Sequence, residues 1–475
     1  MERFNPESKK WWVLGVIFSF LLLEFFFFMD RPFFWDALTK AQRANWLYGN
    51  DFSRLVVPTE LNSGHPPLWI GGIALFWTIF GKAIWSARLL LLLVNLGVCY
   101  QLWILASRFF GKELPWWLVF LVFLEPTFIA QTTSLNNDML LLFFTLFGLN
   151  TLLTNKWNWY ALALSGVLLT NLRGIYIFLA LAALHFFLVR KQLLVYQSKM
   201  LIAYGLGLLV FIAFLVYQYI VLGWVIITPN PHYSGHREAV PVSSVLKNTV
   251  VFIKNILENG RLFVWIPLLL LLWRSFRRKT PLSSSIRTML LILTVFLVTF
   301  FLGFVPFSNP IGPRYLMVCY LLAGVLFIRL MYDLSIQKSL RRSLLVVIMI
   351  GYVSGHFWIY PPTIAQAWDS SLAYVRYDSV EAEMLEFISK EDIPITETGT
   401  QLRMNFRKIA AADASHVQDL YFANPDLQAN SYYLLSNIEN ATSDEEIRQL
   451  QQHWQVIKRI DNCGVFITLY KNPKF

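Results

Sequence analysis

Long apolar runs separated by short polar turns recur from Trp11 to Tyr360, and from Pro361 onward the chain changes to alternating strand-like and helix-like patterns. A helix needs about 20 residues to cross hydrocarbon, and on that basis about eleven spans are predicted. They fall at 11–28, 88–107, 114–131, 139–154, 157–172, 174–189, 201–227, 262–273, 288–306, 314–331 and 343–360, with the eighth extending outward past Asn259. The first follows Lys9 and Lys10 as a signal peptide would, but no small-residue cleavage site succeeds it, so it reads as a retained helix.

The stretch "GHPPLWIGGIALFWTIFG", residues 64–81, does not fit the series. Between Pro67 and Gly81 it offers only about 14 residues, roughly 21 Å of helix, which suits an interfacial or re-entrant segment better than a crossing. Charge gives an independent test. If the stretch stays on one side, one set of loops collects Arg3, Lys9, Lys10, Arg108, Lys112, Lys156, Arg190, Lys191, Lys199, Arg274, Arg277, Arg278, Lys279, Arg287, Arg329, Lys338, Arg341 and Arg342 against Glu2, Glu7, Glu113 and Asp333. Those loops are then cytoplasmic by the positive-inside rule, and a crossing would invert it. The expected fold is a polytopic α-helical membrane protein with a cytoplasmic N-terminus. It has a first outer loop at 30–87 carrying amphipathic helices, a transmembrane region at 1–360 and a small outward α/β domain at 361–475.

Composition agrees: 56% of residues are hydrophobic and 15% charged, whereas soluble domains carry about 25% charge. The net charge of +11 sorts to the inner loops and calls for no nucleic-acid partner. Cys99, Cys319 and Cys463 are too dispersed for a metal motif or a disulfide framework.

Four charges lie at the outer ends of apolar helices. Asp36 opens "WDALTKAQRANWLYGNDF", where Ala37, Ala41, Ala44 and Leu47 recur at helical spacing with Lys40 and Arg43 on the opposite face. That is the pattern of an amphipathic helix lying along the outer surface. Asp138 ends "SLNND", Arg173 sits in "NLRG" and Arg314 in "GPRYL". Charges beside a bilayer are costly and tend to line a site. Plainer roles exist: Asp36 and Asp138 as helix caps, Arg173 as a snorkelling residue. Arg314 follows Pro313 at a helix start, where a cation opposes the dipole, which favours function. His65 reads as ending a loop, and Arg88 anchors its span at the interface. Glu125, in "FLEPTF", lies within a span and requires a partner that the sequence does not name. His232, His236 and Glu238 in "PNPHYSGHRE" could pair on a metal, but Pro229 and Pro231 favour a loop that closes over substrate.

The order of these motifs, from the Trp-Asp-led helix through "GHPPL", "SARLL", "NND" and "NLRG" to "PRYL", resembles the C-type (GT-C) membrane glycosyltransferase superfamily over about residues 11–330. Protein O-mannosyltransferases and lipid A aminoarabinose transferases are similar. The resemblance implies transfer of a sugar from a polyprenyl phosphate to a lipid, glycan or protein acceptor hydroxyl, with inversion. The site would lie on the outer face of a membrane, here a bacterial inner membrane. It implies catalytic roles for Asp36 and Asp138 and substrate-binding roles for His65, Arg173, Arg314 and Tyr315. The family's usual Asp-Glu pair is Asp36-Ala37 here. No cofactor follows from the residues; a divalent cation is possible, but the absence of that Glu weakens any metal-binding or acceptor-orienting role of the position. A sugar on a phosphate already has a good leaving group, so one carboxylate suffices as base where glycoside hydrolysis needs two. A glycan polymerase or ligase working on the same carriers, or a transporter, are the alternatives. A transporter would show repeated halves and midplane polar residues, neither of which is evident.

The C-terminal part reads as a strand at "SYYLLSN", a helix capped by Ser443, and a hairpin turning at Asp461–Gly464. Nothing there has nucleophile or metal spacing, and a lid or acceptor-docking role is expected.

Overall fold

The computed structural model describes residues 6–111, 114–115, 117–401 and 422–475. The first helix, α1 (Pro6–Phe28), leads into a surface pair, α2 (Asp36–Gly49) and α3 (Leu68–Phe80). There follow α4 (Ile84–Phe110), α5 (Leu118–Phe123), α6 (Pro126–Thr133), α7 (Asp138–Leu152), α8 (Trp157–Thr170), α9 (Gly174–Arg190) and α10 (Lys199–Leu222). Next come the single turn α11 (Pro231–Ser234), α12 (Val242–Leu257), α13 (Leu262–Arg277), α14 (Ser284–Phe304), α15 (Met317–Asp333) and α16 (Lys338–Gly355). Five helices among the described residues are long and apolar enough to cross a membrane, and a sixth crossing arises if the bent pair α12 and α13 counts as one.

Several expected spans take a different form. The segment 114–131 is broken into α5 and α6, because Pro126 cannot donate a backbone hydrogen bond into the preceding turn. Glu125 caps the second piece by accepting from the Phe128 N–H at 2.7 Å. Helices α7, α8 and α9 have 15, 14 and 17 residues, short for a full crossing. The segment at 64–81 gives α3, a helix of 13 residues with Trp69 and Trp77 fully buried. It packs against α2 and α4.

The region after α10, expected to be irregular, contains α12, which meets α13 at 92°. The corner is Asn259 and Gly260, both at positive φ, so the helix starts at Leu262 and does not extend outward past Asn259. Beside it lies the partner of Glu125: Arg261 Nε donates to Glu125 Oε1 at 2.6 Å, with each side chain only 1% exposed. Arg261 also donates to the Thr127 hydroxyl and to the Glu258 carbonyl at 3.1 Å, and stacks 4.1 Å from the Tyr320 ring. Every polar atom of that ion pair therefore has somewhere to go, which is the condition for keeping one buried.

Beyond α16 the chain folds as α17 (Tyr377–Lys390), α18 (Asp444–His453) and a sheet of β1 (Thr398–Thr400), β2 (Tyr432–Ser436), β3 (Gln455–Asn462) and β4 (Val465–Lys471). The strand order is β1-β2-β4-β3, with β1 parallel to β2 and the other pairs antiparallel. Ser443 caps α18 in a reciprocal capping box with Glu446, and the hairpin turns where the sequence placed it. Trp368, Tyr377, Met384, Leu434 and Ile467 form a separate apolar core. Phe34 of the first loop joins that core, its ring stacked 5.0 Å from Tyr374.

A Cβ on Gly260 would lie 1.8 Å from the Gly351 carbonyl oxygen, at φ +77. Gly260→Ala is therefore expected to lower the melting temperature of the detergent-solubilised protein. Gly205→Ala, at a helical position where an added Cβ meets nothing within 4 Å, should leave it unchanged or raise it. Equal effects of the two substitutions in a thermal melt would refute the packing argument for the corner.

Candidate active site

The site begins at a strained residue. Trp35 has φ 48 and ψ −123, a conformation that bulky side chains rarely adopt. It is held by aromatic packing, with Phe34 stacked 5.7 Å from Trp35 on one side and on Tyr374 on the other. Trp35 occupies the N-cap position of α2, and Asp36 is the first helical residue, with no side-chain cap bond. The plain capping role for Asp36 is thus corrected: its carboxylate pairs with Arg314 Nη2.

Arg314 lies in a 3₁₀ turn, Pro313–Leu316, that leads into α15. Its three nitrogens all face carboxylates: Nη2 bonds Asp36, Nη1 bonds Asp369, and Nε stands 3.6 Å from Asp138 Oδ2. Asp138, the first residue of α7 and likewise not its cap, accepts from Arg173 Nη1 at 2.7 Å. The Arg173 guanidinium lies 3.8 Å from the centre of the Tyr315 ring. Asp36, Asp138, Arg173, Arg314 and Tyr315, read from four separate loops, therefore meet in one place. Arg173 is an ion-pair partner here and not a snorkelling residue.

Three groups of side chains were not anticipated. Asp369, from the C-terminal part, is the third carboxylate on Arg314, and it repeats the Trp-Asp pair of positions 35 and 36 in Trp368-Asp369, the one signal that could have marked it. Lys40 and Arg43, expected on a wetted helix face, are only 8% and 5% exposed. They line a cavity with Asn62, His65, Trp69 and Asn137, because α3 and the 224–241 segment cover that face of α2. Arg43 donates to the Leu61 carbonyl at 2.6 Å and to the Tyr233 hydroxyl at 2.9 Å, and Arg237 donates to the Ser63 carbonyl at 2.9 Å. Asn136 and Gln131, last of the three, hold Asp369 from α6 and the turn after it.

The electrostatics separate the groups. Burial alone would raise Asp36, but Arg314 and Lys40 outweigh it and hold the carboxyl well below the usual carboxylate range. Its side chain stays 43% open to solvent. Asp369 is shifted the other way, chiefly by its own burial. Burial pushes the Lys40 ammonium down to about 8, with Asp36 pulling in the opposite direction. His65 is held neutral by burial and by neighbouring cations, with its Nδ1 buried and unbonded.

Other expected roles change. Arg88 is buried, donating to the Thr133 carbonyl at 2.6 Å and the Arg31 carbonyl at 3.0 Å, so it ties α4 to the first loop. The side chain of His232 lies outside the described residues. Among the described residues no group of three or more His, Cys, Asp and Glu could hold a metal ion.

Lys40 should titrate near pH 8 instead of the ordinary value of about 10.4. In NMR of the ¹³C-methylated protein its resonance is expected to move through that midpoint, and to a lower one in Asp36→Asn, which removes the charge that favours the ammonium form. A midpoint close to that of surface lysines would show that the cavity does not desolvate the amine.

Residues 64–217 match the family model described as dolichyl-phosphate-mannose-protein mannosyltransferase. No curated protein matches the chain in sequence. In fold, the chain is similar to ArnT from Cupriavidus metallidurans bound to undecaprenyl phosphate, with a TM-score of 0.50, 12% identity, and 96% of this chain and 97% of that one covered. It is also similar to the apo state of the same protein, with a TM-score of 0.51, 13% identity and 98% of each chain covered. The family match covers the α3–α10 region, and the likeness of fold to the two solved structures runs along the whole length of the chain.

Proposed function

We propose that the protein transfers a sugar from a polyprenyl phosphate to an acceptor hydroxyl on the outer face of a membrane, with Asp36 as the general base. The supporting observation is a solvent-reaching Asp36 carboxylate, held by Arg314, one helical turn before Lys40, which with Arg43 and His65 lines a cavity. A base must be charged and reachable by the acceptor. A departing phosphate, whose negative charge grows, must meet fixed cations. Arg314 has its nitrogens committed to carboxylates, so in this reading Lys40, which makes no hydrogen bond to a described residue, is the cation offered to the phosphate. Arg314 instead orients Asp36 and neutralises the ring of carboxylates. The related fold solved with undecaprenyl phosphate supports a polyprenyl carrier as donor.

The reaction is a direct displacement. Asp36 takes the hydroxyl proton as the acceptor oxygen bonds to the anomeric carbon, the bond from that carbon to the phosphate oxygen breaks, and the carrier phosphate leaves with the electron pair. Attack from the face opposite the phosphate inverts the centre. The inner-loop excess of cations supports a cytoplasmic N-terminus, the site on the outer side and an outward C-terminal α/β part. A bacterial inner membrane is the setting proposed.

The test uses the full chain in liposomes with monosaccharyl and oligosaccharyl polyprenyl phosphates. Consumption of the monosaccharyl donor is expected, and Asp36→Asn should lower it by about 10²-fold or more, the scale of losing a positioned base. Parental rates in a folded Asp36→Asn protein would overturn the base assignment. Use of the oligosaccharyl donor alone would identify a polymerase or ligase, and use of neither would point to transport. Lys40→Met should raise KM for the donor more than it lowers kcat. In the parent, donor binding is expected to weaken as pH rises through about 8, where Lys40 loses its charge. A KM independent of pH from 7 to 9.5 would remove Lys40 from the phosphate site.

A further inference from the structure

The segment after α16 enters the bundle at one point. There a short 3₁₀ turn, Trp368–Ser370, is seated on α6: Gln131 Nε2 donates to the Asp369 carbonyl at 2.8 Å and Thr127 Oγ1 to the Ser370 carbonyl at 2.9 Å. Trp368, 1% exposed, anchors the turn in the apolar core of the C-terminal part. With its backbone fixed from both sides, the Asp369 carboxylate has one orientation. Its Oδ2 accepts from Asn136 Nδ2 at 3.1 Å and pairs with Arg314 Nη1. The adjacent nitrogen of the same planar group, Nη2, is the one that pairs with Asp36. A guanidinium is a rigid fork, so fixing one nitrogen fixes the plane and aim of the others.

We propose that Asp369 is a positioning residue of the active site: it locks the Arg314 fork so that Nη2 is delivered to Asp36, making the C-terminal part a structural component of the catalytic centre. The alternative partner on Arg314 is too weak to do this, because Asp138 stands 3.6 Å from Nε and spends its shorter bond on Arg173. Without Asp369, Arg314 is free to rotate toward Asp138, and Asp36 loses its fixed orientation while keeping its own helix.

Two measurements test this, and only the second rests on Asp36 being the base. In the first, the full-length protein is treated with a vicinal dicarbonyl that modifies free guanidinium groups, and Arg314 is followed by mass spectrometry. Modification should be about 10-fold or more faster in Asp369→Asn, the scale of losing a charge-assisted hydrogen bond, measured below the melting temperature of the variant. Asn136→Ala, which keeps the Asp369 charge but removes its neutral hydrogen bond, should give a smaller increase and serves if Asp369→Asn does not fold. An unchanged Arg314 rate in either folded variant overturns the proposal. In the second, kcat for sugar transfer should fall about 10- to 10²-fold in Asp369→Asn, as expected for a misplaced catalytic group, with donor KM nearly unchanged. In an Asp36→Asn background the same substitution should cost almost nothing further, because both act through one group. A full additional loss in that background overturns the positioning role. Faster Arg314 modification without any parental transfer would instead leave the lock standing and refute the proposed activity.

Discussion

One guanidinium organises this molecule. Arg314 draws together carboxylates from the first loop, from the start of α7 and from the segment beyond α16, positions hundreds of residues apart in sequence. Three carboxylates crowded beside apolar helices repel one another, and each is costly to desolvate. A planar cation with five donors lets them converge, and Arg173 on Asp138 supplies the second positive charge the cluster needs. The first loop, the bundle and the C-terminal part are tied at this point by charge, beside the apolar contact of Phe34 with Tyr374.

A second buried pair, Glu125 with Arg261, does comparable work deeper in the fold. It joins the break between α5 and α6 to the corner between α12 and α13, two places where helices are interrupted. Broken helices expose backbone groups that lipid cannot satisfy. Here the interruption is covered from within: Glu125 takes the Phe128 N–H and Arg261 takes the Glu258 carbonyl. The short helix α6 that results carries Gln131 and Thr127, which seat the Asp369 turn, so the break between α5 and α6 is part of how the site is assembled.

The cavity beside Asp36 follows from the same economy of layers. Helix α2 would be an ordinary surface helix if α3 and the 224–241 segment did not cover its basic face. Covered, its Lys40 loses hydration and approaches neutrality, while Asp36 a turn earlier stays charged because two cations face it. One turn of helix thus presents a fixed anion and an adjustable cation side by side.

The sequence by itself determined the class of protein, the short apolar helix within 64–81, a strand near 431–437, the Ser443-capped helix and the hairpin turn at Asp461–Gly464, and the choice of Asp36, Asp138, Arg173 and Arg314 as charges to examine together. Those conclusions rest on local quantities: hydropathy over the length of a span, the sign of loop charge, caps and turns. What only the tertiary structure decided is which distant charges meet. That Arg261 is the partner of Glu125, that Lys40 and Arg43 face inward, and that Asp369 shares a guanidinium with Asp36 all depend on how α6, α12 and the segment beyond α16 pack. Side-chain periodicity tells which face of a helix is polar. Whether that face meets water or another polar face is set by the neighbours that the fold brings to it, and pairing energies across such distances leave no trace in local pattern.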